Sequence, residues 1–220
     1  HARTLLPPAP GRPQPLRVVA DAAYGRVLLA PLLPRFMEKF PQLPLEVSWR
    51  GPGENAGPDP WDLQVRIGAP TEEGMVAQLL GSPPLILCAT PTYLRAHGSP
   101  KTPAELARHA VLVPIQPCRG LRLSHGARHA EVPLEPRLAV SDPTVVHAAT
   151  AAGSGIGLLP EFLCRQGLAM KRLERVLPDW QAGELLQLYA VGPLARANVP
   201  GVRELGAFLA AHMLTALGGG

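Results

Sequence analysis

Hydrophobic and polar residues follow two different periods along this chain, and the change of period predicts its first elements. Short apolar runs predict strands at residues 16–20, 43–49, 62–68 and 84–90. The third run alternates apolar with polar side chains, Leu63, Val65 and Ile67 against Asp62, Gln64 and Arg66. Residues 25–40 carry apolar side chains at helical spacing, so the chain begins as strand, helix, strand. Pro31 and Pro34 predict that this helix starts late or bends.

The same alternation of strands and helices continues to about residue 167. Thr90 is a predicted N-cap for a short helix that ends at Gly98, and Thr102 with Glu105 has the spacing of a capping box. Further strands are predicted at 110–115, in a hairpin of 121–125 with 129–134 around Gly126, in a buried strand at 137–142, and at 155–159. Ser141 or Asp142 caps a helix over 143–152 that Gly153 ends, and Pro160 starts the next helix.

Composition narrows the classes of function. The hydrophobic fraction of 46% is enough for a substantial core, and the 21 Lys and Arg behind the net charge of +4 are scattered, which does not indicate a nucleic-acid or lipid surface. No apolar run approaches the roughly 20 residues that cross a bilayer. Cys88, Cys118 and Cys164 lie far apart without metal-site spacing, which favours free thiols in a reducing, cytoplasmic compartment and no metal.

Motifs for catalysis are weak. Ser154 lies in GSGIG, which is not the GxSxG elbow of a hydrolase, and the His residues show neither HExxH spacing nor the order of a triad. The glycines at 153–157 follow a helix and lack the GxxxxGK[ST] pattern of a phosphate loop. We therefore expect no catalytic residues, no cofactor and no enzymatic activity.

Five segments resemble one known family in order and spacing. They are LRVVADAAYGRVLLAPLLPRFMEKFP, DLQVRIG, LCATPTYLRAHGSPKTPAELARH, VSDPTVVHAATAAGSGIGLLPEFL and RVLPDW. Together they resemble the effector-binding domain of LysR-type transcriptional regulators, over residues 16 to about 214. The resemblance implies an α/β fold of two Rossmann-like lobes joined by two crossing strands, similar to type 2 periplasmic binding proteins, with a small molecule held between the lobes.

The resemblance also implies a domain organisation. Residues 1–15 are a Pro-rich linker remnant, residues 16–86 with 187–217 form lobe I, and residues 87–186 form lobe II. An N-terminal winged helix-turn-helix, absent from this sequence, would contact DNA. Family members pair as homodimers or higher homo-oligomers, through the first helix (28–40) and the helix at 144–152, and Val27, Leu28, Leu32 and Met37 offer apolar surface for this.

Carried over to this sequence, the family's effector site falls on three clusters. The expected ligand-binding residues are Asp21, Ala22, Ala23, Tyr24, Arg66, Ile67, Gly68, Ser141, Asp142, Pro143, Thr144, Pro160 and Glu161. For Arg66 a rim position is the alternative, and for Ser141 and Asp142 it is helix capping. Arg66 and the helix starts favour an organic anion, because an arginine at a strand end lacks a local partner, whereas Asp21 and Asp142 favour hydroxyl or amino groups.

One segment departs from the family. Residues 50–60 are Gly- and Pro-rich where the family has a short helix, so the effector or its enclosure differs from that of other members. Two alternative functions stay open at this point. They are an exported solute-binding protein of the same fold and a small α/β enzyme.

Overall fold

A computed structural model describes residues 14–51, 60–114, 120–183 and 186–217. Most of the predicted linker remnant, most of the Gly- and Pro-rich segment and Cys118 lie outside these ranges. The chain divides into two compact units. Unit 1 holds the described residues up to Leu80 together with Tyr189–Met213, and unit 2 holds Gly81–Leu188 and the described residues from Leu214 onward.

Both units combine β-strands with α-helices. The strands, in chain order, are β1 (Leu16–Asp21), β2 (Leu45–Arg50), β3 (Leu63–Ile67), β4 (Met75–Gly81), β5 (Leu85–Ala89), β6 (Val111–Pro114), β7 (Gly120–His125), β8 (Arg128–Pro133), β9 (Leu138–Val140), β10 (Ile156–Pro160), β11 (Glu174–Val176), β12 (Gln181–Ala182) and β13 (Leu188–Pro193). The α-helices are α1 (Ala22–Tyr24), α2 (Leu33–Lys39), α3 (Pro91–His97), α4 (Pro143–Ala151), α5 (Glu161–Ala169) and α6 (Pro200–Leu217).

Unit 1 contains a sheet of five strands in the order β2-β1-β3-β13-β4. β1 runs parallel to both β2 and β3, as the strand-helix-strand pattern predicts. β3 forms as predicted, but burial does not follow the alternation of its sequence, because Asp62 and Gln64 are buried with Leu63 and Val65. The first three residues of β3 are consecutive and buried, so both faces of the strand are covered there, as in a parallel sheet packed on both sides.

The first helical region of unit 1 is continuous but irregular. It starts at Ala22, passes through a π-helical segment (Gly25–Leu29) and a 3-10 turn (Ala30–Leu32), and ends with α2. Pro31 has no N–H and cannot donate the usual helical hydrogen bond to the carbonyl four residues earlier. The residue before it, Ala30, donates its N–H to the Gly25 carbonyl, five residues earlier, which is the π-helical pattern. The helix therefore changes its hydrogen-bond pattern instead of starting late.

This helical region and α6 share the core of unit 1. Phe36 is fully buried and its ring meets that of Phe208 edge to face, with 5.3 Å between the centroids. The prediction that Leu28 and Leu32 offer apolar surface is wrong, because they are 3% and 7% exposed and face this core. Val27 and Met37 are exposed, at 36% and 55%.

Unit 2 contains a sheet of eight strands, whose main path is β8-β7-β12-β5-β10-β6-β9 with β11 beside β5. All five residues of β5 are buried, since its alternate side chains contribute to separate apolar clusters. One cluster contains Leu85, Leu87 and Ala89, and the other contains Ile86 and Cys88. The continuous apolar run in the sequence thus marks a strand that is covered on both faces.

The helices and turns of unit 2 follow the sequence closely. The Thr90 hydroxyl accepts the Tyr93 N–H (3.2 Å), and α3 ends at Gly98. The capping-box segment forms a 3-10 helix (Pro103–Arg108) instead of an α-helix, and Glu105 accepts bonds from Thr102 and the Lys101 N–H. The β7–β8 hairpin turns at Gly126 and α4 ends before Gly153, both with positive φ. The strand predicted as buried at 137–142 is shorter and half-exposed, because β9 is an edge strand.

Two thiols pack against each other in this core. Cys88 on β5 and Cys164 on α5 are fully buried, and their Sγ atoms are 3.4 Å apart. The contact with Cys88 and burial together raise the pKa of the Cys164 thiol. Both cysteines are free, as expected for core thiols.

Candidate functional site

The predicted site residues of unit 1 meet at the carboxyl edge of three parallel strands. Asp21, the last residue of β1, is level with Arg50 at the end of β2. Ala20 pairs with Val65, which brings the next residues, Asp21 and Arg66, level as well. An acid and two arginines thus lie at the ends of neighbouring strands, where ligands collect in open α/β sheets.

Asp21 uses its carboxylate for local structure. One carboxylate oxygen accepts the backbone N–H groups of Ala23 (3.0 Å) and Tyr24 (3.3 Å), which caps the start of α1. Ala22 and Tyr24 are half-buried and Ala23 is buried. The charge of Asp21 is therefore partly balanced by backbone donors.

Arg66 has a local partner, contrary to the expectation from its strand-end position. Its Nη1 donates to Glu72 Oε1 over 3.2 Å, and Glu72 Oε2 accepts the Thr71 N–H (2.9 Å). Hydrogen bonds from its own N–H and from Arg66 hold the pKa of Glu72 below its ordinary value. The turn that brings Glu72 back to Arg66 includes Gly68, which has φ of 84°.

The site residues of unit 2 also share one sheet edge. β6 runs parallel to β9 and to β10, with Pro114 level with Val140 and Leu112 level with Gly157. Because these strands are parallel, Leu159, two residues after Gly157, is level with Pro114, two residues after Leu112. The segments Ser141–Thr144 and Pro160–Glu161, which follow β9 and end β10, therefore lie at the same carboxyl edge.

Asp142, not Ser141, caps α4. Its Oδ1 accepts the Thr144 N–H (2.8 Å) and the Thr144 hydroxyl (2.6 Å). Pro143 is buried in the first helical position, as predicted, while Ser141 is exposed. The capping alternative is thus confirmed for Asp142.

Glu161 begins α5 and pairs with Arg175 of β11. Pro160 is buried and precedes the first helical residue, so it is the N-cap position and not the first residue of the helix. The Glu161 carboxylate is thus already paired with an arginine of its own unit.

Arg50 is not among the residues predicted for the site. Arg50 is half-buried at the end of β2, level with Asp21. Its signal was available, because it directly follows the apolar run at 43–49 and β2 is parallel to β1.

His109 contacts a tyrosine that supports the fold of unit 2. The Tyr93 hydroxyl accepts the Ala110 N–H (3.1 Å) and lies 3.3 Å from His109 Nδ1. Burial, with a smaller effect of His97, lowers the pKa of His109. In the ranges that the structure describes, no three His, Cys, Asp or Glu side chains are grouped to hold a metal ion. Nor does any helix in those ranges have the length and apolarity to cross a membrane.

Comparison with known proteins adds independent evidence. A family model described as the LysR substrate binding domain matches residues 10–214. An HTH-type transcriptional regulator of Xanthomonas campestris is 27% identical over 90% of this chain and 59% of its own length. The Escherichia coli HTH-type transcriptional regulator YhjC is 32% identical over 82% of this chain and 62% of its own length. The chain thus spans about three fifths of these relatives.

Solved structures show the same fold. The full-length Vibrio cholerae virulence activator AphB, of the LTTR family, has a TM-score of 0.81 at 26% identity, covering 93% of this chain and 70% of AphB. The regulatory domain of CrgA, a LysR-type regulator from Neisseria meningitidis, has a TM-score of 0.77 at 25% identity, covering 91% of this chain and 98% of that domain. The predicted α/β fold with two sheets is confirmed.

Proposed function

Because this chain belongs to the LysR substrate binding domain family, we propose that it is the sensor part of a cytoplasmic transcriptional regulator and has no enzymatic activity. A small effector binds its two lobes and shifts the regulator between two conformations. Such a shift requires that the effector bind one conformation more tightly than the other. A winged helix-turn-helix N-terminal to this sequence contacts the DNA, in line with the HTH regulators among the relatives.

The effector is a small organic anion. The observation that carries this proposal is the pair of arginines, Arg50 and Arg66, at the carboxyl edge of the parallel strands of unit 1. A guanidinium group binds a carboxylate through two parallel hydrogen bonds. Asp21 opposes an anion less than its charge suggests, because backbone N–H groups already bind its carboxylate.

Substitution of Arg66 tests the anionic effector. The parent protein and Arg66→Ala are titrated by calorimetry with small carboxylates, such as succinate and benzoate, and with the corresponding amides. The expected result is binding of at least one carboxylate but not its amide, weakened about tenfold or more in Arg66→Ala, which is about 1.4 kcal/mol. Equal affinity of the two proteins for a carboxylate that binds would remove Arg66 from the site.

The lobe boundaries are part of the proposal. Lobe I comprises 16–86 with 187–217, and lobe II comprises 87–186. The effector-binding residues are the thirteen named above, with Arg50 in addition. The division between compact units at 80/81 and 188/189 lies within six residues of these boundaries. It differs from them in two respects: the boundary at 86 falls inside β5, and residues 214–217 belong to unit 2.

The regulator also forms a homodimer. The exposed apolar side chains Val27 and Met37 in the first helical region and Val145 on α4 support this pairing, since large apolar side chains on a surface favour contact with a partner. Light scattering at high micromolar concentration is expected to give twice the mass of the chain, and Met37→Asp with Val145→Asp is expected to give the monomer mass. A monomer mass for the parent protein would contradict the dimer.

A further inference from the structure

A groove in unit 1 lies apart from the carboxyl edge described above. It is bounded by β4 on one side and α6 on the other, with β13 beneath, and it encloses about 300 Å³. This volume is at the lower end of the range for small-molecule sites, roughly 300–1,000 Å³. The groove exists because residues with little or no side chain, among them Gly192 and Gly206, line it.

The lining is apolar except for two groups. Val76 and Val202 contribute apolar surface, and the polar side chains are Gln78 on β4 and Arg203 on α6. Among the residues that the structure describes, neither the Arg203 guanidinium nor the Gln78 amide has a hydrogen-bond or ion-pair partner, and both residues are exposed. None of the residues that line the groove is acidic.

This charge distribution selects the class of ligand. A guanidinium group that has no ion-pair partner favours an anion, and the planar fork of its donors matches a carboxylate. The amide of Gln78 adds a donor, and the remaining surface favours hydrocarbon. We propose that the groove between β4 and α6 binds a small apolar carboxylate, whose charged end meets Arg203 and Gln78.

The proposal is independent of the proposed function, because neither Arg50 nor Arg66, nor any other residue proposed to bind the effector, lines the groove. Hexanoate is the probe, and its neutral amide, hexanamide, is the matched ligand control. In a titration followed by ¹H–¹⁵N NMR, hexanoate is expected to shift the amides of residues 76–78 and 202–207 saturably. Hexanamide at the same concentrations is expected to give no saturation.

Three variants locate the binding. Arg203→Ala is expected to weaken the binding of hexanoate by about tenfold or more. The control, Arg35→Ala, removes an exposed arginine of α2 that does not line the groove, and it is expected to leave the affinity for hexanoate unchanged. Gly206→Leu fills the groove and is expected to abolish the shifts. The backbone tolerates a side chain at this position, because a Cβ on Gly206 meets only Gln78 Oε1, at 3.6 Å. Arg66→Ala separates the two sites and is expected to leave the groove shifts intact.

Several results would overturn the proposal. They are hexanoate shifts that do not saturate, equal affinity of the parent and Arg203→Ala, equal binding of hexanamide, or loss of the groove shifts in Arg66→Ala. Concentration-dependent shifts of the same amides without hexanoate would show that a second copy of the chain covers the groove, and would overturn it too. Circular dichroism of each variant establishes that it is folded.

Discussion

Arg66 and Glu72 form an ion pair at the carboxyl edge of unit 1. An anionic effector that binds Arg66 must therefore compete with a carboxylate of the same chain. Glu72→Gln is expected to strengthen binding of the preferred carboxylate several-fold in calorimetry, because it removes this competitor. Glu73→Gln is the control, since Glu73 is the adjacent exposed acid. Unchanged affinity in Glu72→Gln would contradict the competition.

The cap of α4 gives a prediction for stability. Asp142→Ala leaves the Thr144 N–H without its acceptor and is expected to lower the free energy of unfolding by about 1 kcal/mol. Ser141→Ala is the matched control and is expected to change it by less than about 0.5 kcal/mol, because Ser141 is exposed and does not cap the helix. Urea unfolding followed by circular dichroism measures both. Equal losses would mean that Ser141 shares the cap.

Gly157 of β10 leaves no room for a side chain. A Cβ there would lie 2.1 Å from Thr150 Oγ1, so Gly157→Ala is expected to lower the free energy of unfolding by about 1–3 kcal/mol. Thr150→Ala removes that oxygen, and the double variant is expected to lose less stability than the sum of the two single variants. Gly206→Ala is the control; its methyl group meets only Gln78 Oε1, at an ordinary contact distance of 3.6 Å, and the change is expected to stabilise by about 0.5–1 kcal/mol. Additive effects in the double variant would exclude the steric conflict.

Two histidines predict how stability depends on pH. Burial lowers the pKa of His109 and of His147 below the ordinary 6.5, so the unfolded chain binds these protons more tightly. The neutral histidines contribute fully to the free energy of unfolding above pH 6.5, the ordinary pKa of histidine. This contribution is lost as the pH falls through the lower pKa values of the folded state. Urea midpoints from about pH 8 to 5 are expected to fall less in His109→Gln than in the parent. The exposed His129→Gln is the control, and an identical pH profile for His109→Gln would refute this assignment.

The two core thiols are expected to be unreactive in the folded protein. Thiolates are the reactive form, and burial with the raised pKa of Cys164 disfavours that form. In a Cys118→Ser background, a chromogenic disulfide reagent is expected to label no thiol in buffer and both in urea. Rapid labelling in buffer would show that the α5–β5 contact opens.

Local signals in the sequence predicted most elements of the fold. The apolar run at 84–90, the cap at Thr90 and the turn glycines Gly126 and Gly153 each depend on residues that are close along the chain. Burial was harder to predict, because it depends on what covers a strand. Asp62 is buried because its carboxylate accepts the Arg17 N–H (2.8 Å) and pairs with Arg196, and residue spacing reveals neither partner.

The candidate site shows the same limit. Strand order places Asp21 and Arg66 at one edge, and this could be predicted from the pattern of parallel strands. The partner of Arg66 could not be, because Glu72 reaches it only through the turn after β3. Strand β4 was also missed, since its apolar residues Val76 and Leu79 are exposed at a sheet edge and do not alternate with polar ones.

The position of β13 between β3 and β4 has a consequence for synthesis on the ribosome. All strands of the eight-stranded sheet lie within residues 85–182, so this sheet is complete in the nascent chain before β13 emerges. The five-stranded sheet must wait, with β4 lacking its neighbour until residues 188–193 are exposed. Translation therefore delivers the eight-stranded sheet first, and a nascent chain that stalls before β13 leaves an open gap between β3 and β4.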